Sequence, residues 1–442
     1  MNDHTLHSVT LDADKCRGCT NCIKRCPTEA IRVRSGKAQI ISERCIDCGE
    51  CIRICPHRAK KAVFGSLDEL ANFKYNIALP APALYGQFPE IDDIDFVLAG
   101  LLQCGFDSIF EVSRAAEIIS DYTRYFISHI NAPGQPPVSR PVISSACPAV
   151  CRLITVRYPN LADNLLPVLA PVEAAARIAV VEAMKKHPNL AKEDIGVFFL
   201  SPCPAKVSYV KNPMGVAKSA VSGVLSIGDI YFKLQAEMKK IQTPPPISRS
   251  GIVGVSWAGS GGESSALLSE KYLAADGIEN VINVLDKIDN DNFAGLDFIE
   301  LNACAGGCVG GVLNIENGYI AKARLQKLRK YLPVSQNKAS DMNDVWSLTP
   351  QDLNWEEPPH INPALKLSDN KARAVKMMIE MERLTESFPQ LDCGACGAPT
   401  CKALAEDIVR GVNVEDACMV IMKEKLKKLG EFPKWESEGD LR

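Results

Sequence analysis

The chain has 442 residues, 46% of them apolar and 23% charged, which is enough for two or three domains with large cores. Its net charge of −3 excludes the strongly basic surface expected of a protein that binds nucleic acid or anionic lipid. Residues 1–30 lack an apolar signal core and a twin-arginine signal, and no run of about 18 apolar residues occurs. We therefore expect a cytoplasmic protein without a membrane segment.

Cysteine is the most unusual feature of the composition, with 18 residues. In a reducing compartment thiols stay unpaired unless a metal binds them, so this number indicates metal sites rather than disulfides. Cysteine runs that end in Cys-Pro favour iron–sulfur cubanes, whereas zinc favours CxxC pairs with histidine among the ligands. The sequence therefore predicts [4Fe–4S] clusters.

Residues 1–60 contain the pattern CxxCxxCxxxCP twice. This run is typical of two-cluster bacterial ferredoxins, in which the fourth cysteine of each run binds the other cluster. The predicted ligands are Cys16, Cys19, Cys22 and Cys55 for one cluster, and Cys45, Cys48, Cys51 and Cys26 for the other. We expect a ferredoxin-like domain with two [4Fe–4S] clusters over residues 1–60, with a zinc or disulfide module as the alternative.

Between residues 73 and 332, short β-rich runs alternate with helical stretches. The β-rich runs are Tyr75 to Leu79, Val197 to Leu200, Ile252 to Val255 and Phe298 to Leu301, and Val172 to Lys186 is a helical stretch. Such alternation predicts an α/β layered domain with a largely parallel sheet. The proline-rich segments 131–141 and 242–250 should interrupt it as loops.

Residues 333–367 are polar and proline-rich, and they predict a linker to a small helical C-terminal domain over residues 368–442. That domain has four cysteines of its own, with glycines between them that allow the loop to wrap a cluster. They are Cys393, Cys396, Cys401 and Cys418. The spacing predicts a further [4Fe–4S] cluster, and zinc is the alternative.

Three cysteine-containing loops follow apolar β-like runs in the α/β region. They read SSACP over residues 144–148, SPCPAK over 201–206 and CAGGCVGG over 304–311. Loops at strand ends carry the ligands of open α/β domains, and the glycines of the third loop let the backbone approach a bulky group. These loops are therefore candidate ligand loops for a further metal group. Cys104 and Cys151 fit no ligand position, and we expect them to be buried apolar filler.

The three loops resemble the H-cluster motifs of [FeFe]-hydrogenases, usually written TSCCP, MPCxxK and ExMxCxxGCxxGG. The turn Ser260-Gly261-Gly262-Glu263 looks like the Ser-Gly-Gly turn of the same domain. The order of ferredoxin module, central domain and C-terminal four-cysteine module is similar to that of the sensory branch of the family. The resemblance thus spans nearly the whole chain.

What the resemblance implies is an H-cluster, in which a [4Fe–4S] cubane is joined to a two-iron subsite that carries CO, CN⁻ and an azadithiolate bridge. The implied cubane ligands are Cys147, Cys203, Cys304 and Cys308. Cys308 should also bridge to the two-iron subsite, and the Lys206 ammonium is placed to hydrogen-bond a cyanide. The catalytic residues expected are Cys308, Lys206 and Ala146, and the other cofactor-binding residues are Ser201, Asn302, Pro82 and Ala83.

Departures from the family pattern bear on the rate. Highly active members have a proton-transferring thiol just before the first cubane ligand, and Ala146 stands there in this chain. Alignment of residues 110–126 with the family's acidic helix puts Thr123 and Phe126 where relay glutamates normally stand. Two family methionines are also replaced by polar residues, so the field around the two-iron subsite should differ. Because positioned proton transfer contributes roughly 10²–10⁴-fold, we expect slow turnover.

The resemblance therefore implies a sensory hydrogenase that reacts with H₂ and protons and relays electrons through its [4Fe–4S] clusters to a redox or signalling protein partner. Its oligomeric state is left open, with a homodimer among the options. One alternative is an electron carrier or cluster-assembly scaffold that keeps the cubane and lacks the two-iron subsite. Another is an efficient hydrogenase coupled to a soluble ferredoxin.

Overall fold

The computed structural model describes residues 7–430, except for residues 131, 134, 291–294, 362, 363 and 365. The chain forms two compact units, and each contains discontinuous segments. The first unit comprises Met1–Thr10, Cys45–Gly49 and Ala62–Asn362, and the second comprises Leu11–Arg44, Glu50–Lys61 and Pro363–Arg442.

The N-terminal module is built from short strands and single-turn helices. They are β1 (Val9–Leu11), α1 (Asn21–Lys24), β2 (Ile31–Arg34), β3 (Lys37–Ile40), α2 (Glu50–Arg53) and β4 (Lys60–Ala62). β1 pairs with β4, and β2 pairs with β3 in an antiparallel hairpin. Ser35 and Gly36 both have positive φ, which is the backbone that a tight two-residue hairpin turn needs.

The central α/β region contains two parallel sheets. Its strands are β5 (Tyr75–Pro80), β6 (Ser108–Ile109), β7 (Val142–Ile143), β8 (Ile195–Ser201), β9 (Gly223–Ser226), β10 (Tyr272–Asp276) and β11 (Phe298–Asn302). One sheet has the order β6-β5-β8-β9 and the other β10-β11-β7. Every residue of β8 is buried, as expected of a parallel strand covered on both faces. The predicted α/β class with a parallel sheet is confirmed.

Helices cover these sheets. They are α3 (Asp95–Gln103), α4 (Val112–Ser128), α5 (Pro148–Arg157), α6 (Pro171–Lys186), α7 (Pro204–Lys211), α8 (Ile227–Met238), α9 (Ile252–Ser256), α10 (Gly262–Ala266), α11 (Ile278–Asp289), α12 (Gly318–Leu328) and α13 (Met342–Trp346). Several begin directly after a strand, and α5 and α7 carry proline in the first turn, where a missing N–H costs nothing. Cys147 and Cys203 each lie at such a junction, directly before the first residue of a helix.

The run from Ile252 to Val255, predicted as β-rich, is helical in the structure and forms most of α9. Its β-branched residues favour a strand only weakly, and tertiary contacts override that preference. A Cβ on Gly254 would lie 2.1 Å from the carbonyl oxygen of Ser113, so α9 approaches α4 closely through this glycine. The N–H of Gly251 donates a hydrogen bond to the buried Glu117 carboxylate, which fixes where α9 begins.

The segment predicted as a linker, residues 333–367, packs for much of its length in the first unit. Met342, Trp346 and Leu353 are buried in the main apolar cluster of that unit. The Glu117 carboxylate accepts hydrogen bonds from the backbone N–H groups of Gln336, at 2.8 Å, and Asn337, at 2.9 Å. These contacts join the segment to the rest of the first unit. They connect residues that are far apart in the sequence, so the polar composition of the segment does not predict them.

The C-terminal region is helical, as the sequence predicts. Its helices are α14 (Lys371–Ser387), α15 (Cys401–Val409) and α16 (Met419–Lys428). They share a small apolar cluster that contains Leu384, Phe388 and Cys418. In the same unit the Arg32 guanidinium contacts Asp407 at 2.8 Å, with both side chains almost fully buried. Among the described residues, no helix has the length and apolar character needed to cross a membrane.

Candidate functional site

The three predicted cysteine loops leave the carboxyl ends of three parallel strands. Cys147 follows β7 and precedes α5, and Cys203 follows β8 and precedes α7. The third loop follows β11 and carries Cys304 and Cys308. β7 and β11 are neighbours in one sheet and β8 lies in the other, so the three loops come from the strand ends of both sheets. Loops at the carboxyl ends of parallel strands are where open α/β sheets bind their ligands.

The side chain of Lys206 lies where these loops meet. Its Nζ is 3.7 Å from the Sγ of Cys308, and its helix begins directly after Cys203. Burial disfavours the charged ammonium, but the negative charge of the surrounding cysteine sulfurs in their thiolate form outweighs that cost and raises the pKa of Lys206 above its ordinary value. The cysteines that act on it are Cys308, Cys203, Cys147 and Cys304. The structure thus brings together all four cysteines predicted for the cubane.

The chemistry of this donor set fits an iron–sulfur cluster. Burial raises the pKa of the Cys203 thiol to about 11, so the sulfur stays protonated at neutral pH unless a cation binds it. Four thiolates around an iron cluster are the usual ligand set of a cubane. Glycine keeps the loops close, since a Cβ on Gly311 would lie 2.2 Å from the carbonyl oxygen of Pro202. The four cysteines could therefore hold a [4Fe–4S] cluster.

A cavity of about 600 Å³, which includes part of its mouth, opens beside Cys308. Most of its lining is apolar, with a few polar groups that converge on it, as in most cofactor sites. The predicted site residues that line it are Pro82, Ala146, Lys206, Asn302 and Cys308. The cavity therefore reaches Cys308, one of the four predicted cubane ligands.

Two residues predicted to bind cofactor occupy other positions. Ser201 is fully buried at the end of β8, where its hydroxyl donates to the carbonyl of Cys203 at 2.9 Å. It thereby fixes the conformation of a ligand loop. Ala83 is fully buried in an apolar cluster with Leu84 and Tyr85. Its methyl group belongs to the core behind the cavity wall, which begins at Pro82.

Comparison with known proteins assigns the family. The model for "Iron only hydrogenase large subunit, C-terminal domain" matches residues 74–272 and 263–312, more than half of the chain. The chain belongs to the iron-only hydrogenase family. A 4Fe-4S dicluster domain model matches residues 8–56, and an Fe-S cluster model matches residues 388–420. These matches confirm the predicted family and its iron–sulfur modules.

Solved hydrogenase structures are similar to this chain at low identity. Two variants of [FeFe]-hydrogenase HydA1 from Chlamydomonas reinhardtii each match 67% of this chain and 98% of their own, with 16% and 17% identity and TM-scores of 0.49 and 0.48. A HydA structure described as a stage of stepwise H-cluster assembly matches equally, with 16% identity and a TM-score of 0.49. A search among curated proteins finds no match.

Two buried carboxylates line the cavity of this hydrogenase-family chain, and neither was predicted as a site residue. Glu263 accepts a hydrogen bond from the Ser144 hydroxyl at 2.6 Å. Burial, reinforced by the negative charge of Glu300, raises the pKa of Glu263 to about 8. Glu300 accepts from the Gly261 N–H at 2.9 Å and from the Asn302 side chain at 2.8 Å. The sequence offered two signals for these acids: Glu263 follows two glycines in a turn, and Glu300 lies within an otherwise apolar strand.

The helix aligned with the family's acidic helix, α4, provides no carboxylate at the positions predicted to be replaced. Thr123 is buried, and its hydroxyl has no hydrogen-bond partner among the described residues. Phe126 is fully buried in the main apolar cluster. Glu111 and Glu117, on the same helix or at its start, accept backbone hydrogen bonds from Arg249 and Gly251. The acids of this region therefore hold neighbouring segments in place.

The two ferredoxin motifs share local geometry as well as spacing. In the first, the Ala30 N–H donates to the Cys26 sulfur at 3.2 Å; in the second, the Ala59 N–H donates to the Cys55 sulfur at 3.3 Å. Glu29 and Arg58, equivalent positions in the two repeats, both have φ of 49°. An N–H donor to a sulfur stabilises the thiolate, which is the form that binds iron.

The segment Cys45–Gly49 packs beside the cubane loops within the first unit. Cys48 contacts the same apolar cluster as Cys147 and Cys203. Buried Asp47 accepts hydrogen bonds from the Ser8 N–H at 2.7 Å and the Val9 N–H at 3.0 Å, and its carboxylate lies 3.7 Å from the Arg152 guanidinium. This network fixes the ferredoxin segment next to the helix that begins after Cys147.

The C-terminal cysteines form a separate group in the second unit. Burial raises the pKa of Cys396, and the charges of Cys393 and Cys418 contribute in the same direction. Gly397 has φ of +81°, and a Cβ there would lie 2.0 Å from the Val33 carbonyl oxygen. The Val33 N–H donates to the Gly397 carbonyl at 2.8 Å. The loop that contains Cys396 is therefore fastened to strand β2 of the ferredoxin module.

The tail cluster can be tested by iron content. Four cubanes predict about sixteen irons per chain in anaerobic protein that lacks a two-iron subsite, and Cys418→Ala should remove about four of them. Cys104→Ala is the matched control, because Cys104 is also buried and matches no predicted ligand position. Iron and zinc are measured by mass spectrometry. Unchanged iron in Cys418→Ala, or stoichiometric zinc, would contradict a cluster at this site.

Proposed function

We propose that the chain is a sensory hydrogenase, which reacts slowly and reversibly with H₂ at an H-cluster and reports its redox state to a signalling protein. The cavity beside Cys308 is the observation that supports this most directly. Lys206, Ala146 and Cys308, the cysteine that we expect to bridge to the two-iron subsite, all line it. When bound, a two-iron subsite with CO, CN⁻ and an azadithiolate bridge would supply the heterolytic splitting of H₂.

Lys206 is the residue best suited to hold that subsite. Its ammonium remains charged and has three N–H donors. One of them points toward the Cys308 sulfur. A charge-assisted hydrogen bond to an anionic cyanide is about twice as strong as a neutral one. The apolar walls of the cavity, including Val172 and Phe199, would exclude water and strengthen it further.

Ala146 and Glu263 govern where protons are held. The methyl group of Ala146 can neither donate nor accept a proton, and it lines the cavity where active relatives have a thiol. Glu263, with a pKa of about 8, is protonated at neutral pH and lines the same cavity. It can therefore give up a proton there, and the hydrogen bond from the Ser144 hydroxyl would stabilise the carboxylate that remains. We propose this carboxyl as the slow substitute for the missing thiol relay.

Electrons would leave through the iron–sulfur clusters. The contacts of Cys48 with the apolar cluster that also packs Cys147 and Cys203 support transfer between the cubane and the ferredoxin-type cluster to which Cys48 belongs. The link between Val33 and Gly397 supports a continuation from the ferredoxin module to the C-terminal cluster. We propose a redox or signalling protein in the cytoplasm as the receiver, and a homodimer is one option for the oligomeric state.

Restoring the missing thiol tests the low-turnover assignment. Ala146→Cys should raise H₂ evolution by less than the roughly 10²–10⁴-fold available from a complete relay, because buried Thr123 and Phe126 carry no proton onward. Ala146→Ser, similar in size and a far weaker acid, is the control. Rates are normalised to two-iron occupancy. Wild-type turnover as fast as that of efficient hydrogenases, or equal rates in all three proteins, would contradict the assignment.

The role of Glu263 predicts a specific pH dependence. Because Glu263 holds its proton below about pH 8 and loses it above, H₂ evolution by the wild type should fall as the pH rises through that value. Glu263→Gln should evolve H₂ at least about ten-fold more slowly and lose this step in the profile. Glu270→Gln, an exposed acid in the same region, should match the wild type. An unchanged profile in Glu263→Gln would refute the proposed proton route.

A further inference from the structure

A second cavity lies on the other side of the glycine turn, between that turn and helix α12. The space there is about 610 Å³, a volume that includes the solvent at its open mouth. Its walls combine the turn backbone with one face of α12 and the residue after that helix. The polar and charged residues that line it are Ser256, Ser260, Ser265, Lys322, Gln326 and Arg329. None of them belongs to the cavity beside Cys308.

The charge of this second cavity is entirely positive. Lys322 and Arg329 are its charged lining residues, and the lining contains no carboxylate. Within the described part of the chain, Lys322 has no ion pair or hydrogen-bond partner, whereas the neighbouring Arg324 is paired with Glu316 at 2.7 Å. The Arg329 guanidinium donates to the Ser256 hydroxyl, while its Nε is buried and has no partner among the described residues.

The shape of the turn leaves room for a ligand against its backbone. Gly261 has φ of +85°, and a Cβ built on it would meet no atom within 4 Å. The Lys322 side chain lies along the turn, with its Cε 3.5 Å from the position of a Cβ on Gly259. The Ser256 and Ser265 hydroxyls donate to the carbonyl oxygens of Ile252 and Gly261, and the N–H groups of the turn are bonded within the protein. The groups that face the open space are therefore two cations and the Ser260 hydroxyl, and no carboxylate lines it.

We propose that this cavity binds a phosphate-class oxyanion, either inorganic phosphate or the phosphate group of a small metabolite. A tetrahedral oxyanion accepts hydrogen bonds in several directions at once, which matches an ammonium, a guanidinium and the Ser260 hydroxyl around one space. Arginine and lysine together supply a planar fork and a mobile point charge, a combination well suited to phosphate. An uncharged ligand would leave both cations without a counter-charge.

The proposed site also contacts the machinery of the first cavity through a shared turn. The Gly261 N–H donates to Glu300 at 2.9 Å, and the Ser264 N–H donates to the same carboxylate at 2.8 Å. An oxyanion seated against Gly261 would thus lie on the opposite side of the turn from the two acids of the hydrogenase cavity. The binding site itself rests on the residues of the second cavity and requires no two-iron subsite.

The test is isothermal titration calorimetry on the full chain with its iron–sulfur clusters, at constant ionic strength in chloride. Inorganic phosphate and adenosine monophosphate serve as probes. Saturable binding of phosphate alone would assign free phosphate, and tighter binding of the monophosphate would assign a phosphate ester; either outcome supports the site. No saturable heat with either probe would overturn it.

Variants of Lys322 separate this site from general attraction of anions to the surface. Lys322→Gln should weaken binding at least about ten-fold, since a charge-assisted contact is lost, and Lys322→Arg should retain most of it. Lys327→Gln, on the same helix and exposed, is the matched control and should bind as the wild type does. Iron content and circular dichroism establish that each variant is folded. Equal affinity in Lys322→Gln and wild type would refute the assignment.

Discussion

The Lys206 ammonium is buried at 3.7 Å from the Cys308 sulfur, and a charge removed from water in this way must be compensated by nearby negative charge. The four cysteine sulfurs around it supply that charge when they are thiolates. Thiolates of this kind are themselves costly to bury, as the raised pKa of Cys203 indicates, unless a metal binds them. A metal cluster satisfies both requirements, so the ammonium, the sulfurs and the metal depend on one another.

The residues around this centre pack so that the ends of strands β7, β8 and β11 lie close together. The loops after β7, β8 and β11 approach each other closely enough that glycine is required at the contacts, as at Gly311 against Pro202. The acids of the α4 region contribute indirectly, because Glu117 ties α9 and residues 335–337 to the same body. Thr123 and Phe126, farther along the same helix, are buried and carry no carboxylate.

Local pattern was enough to predict the cysteine groups, the parallel α/β class and the helical tail, because metal ligands and strand-end loops impose fixed spacings. It was insufficient wherever long-range contacts decide the outcome. Ile252–Ser256 is helical because Gly254 fits against α4. Residues 333–361 are polar on average, yet they include several apolar residues that are buried in the core of the first unit. The raised pKa of Glu263 depends on its burial and on Glu300, which is distant in the sequence.

Infrared spectroscopy of anaerobic protein matured with the two-iron subsite tests the central claim most directly. Wild type and Lys211→Ala, a control on the exposed side of the same helix, should show bands of metal-bound CO and CN⁻. Lys206→Ala should keep its cubane but retain the subsite roughly ten-fold less well, because a charge-assisted hydrogen bond is lost. Absence of these bands in the wild type would favour an electron carrier or assembly scaffold, and equal occupancy in Lys206→Ala would contradict the account.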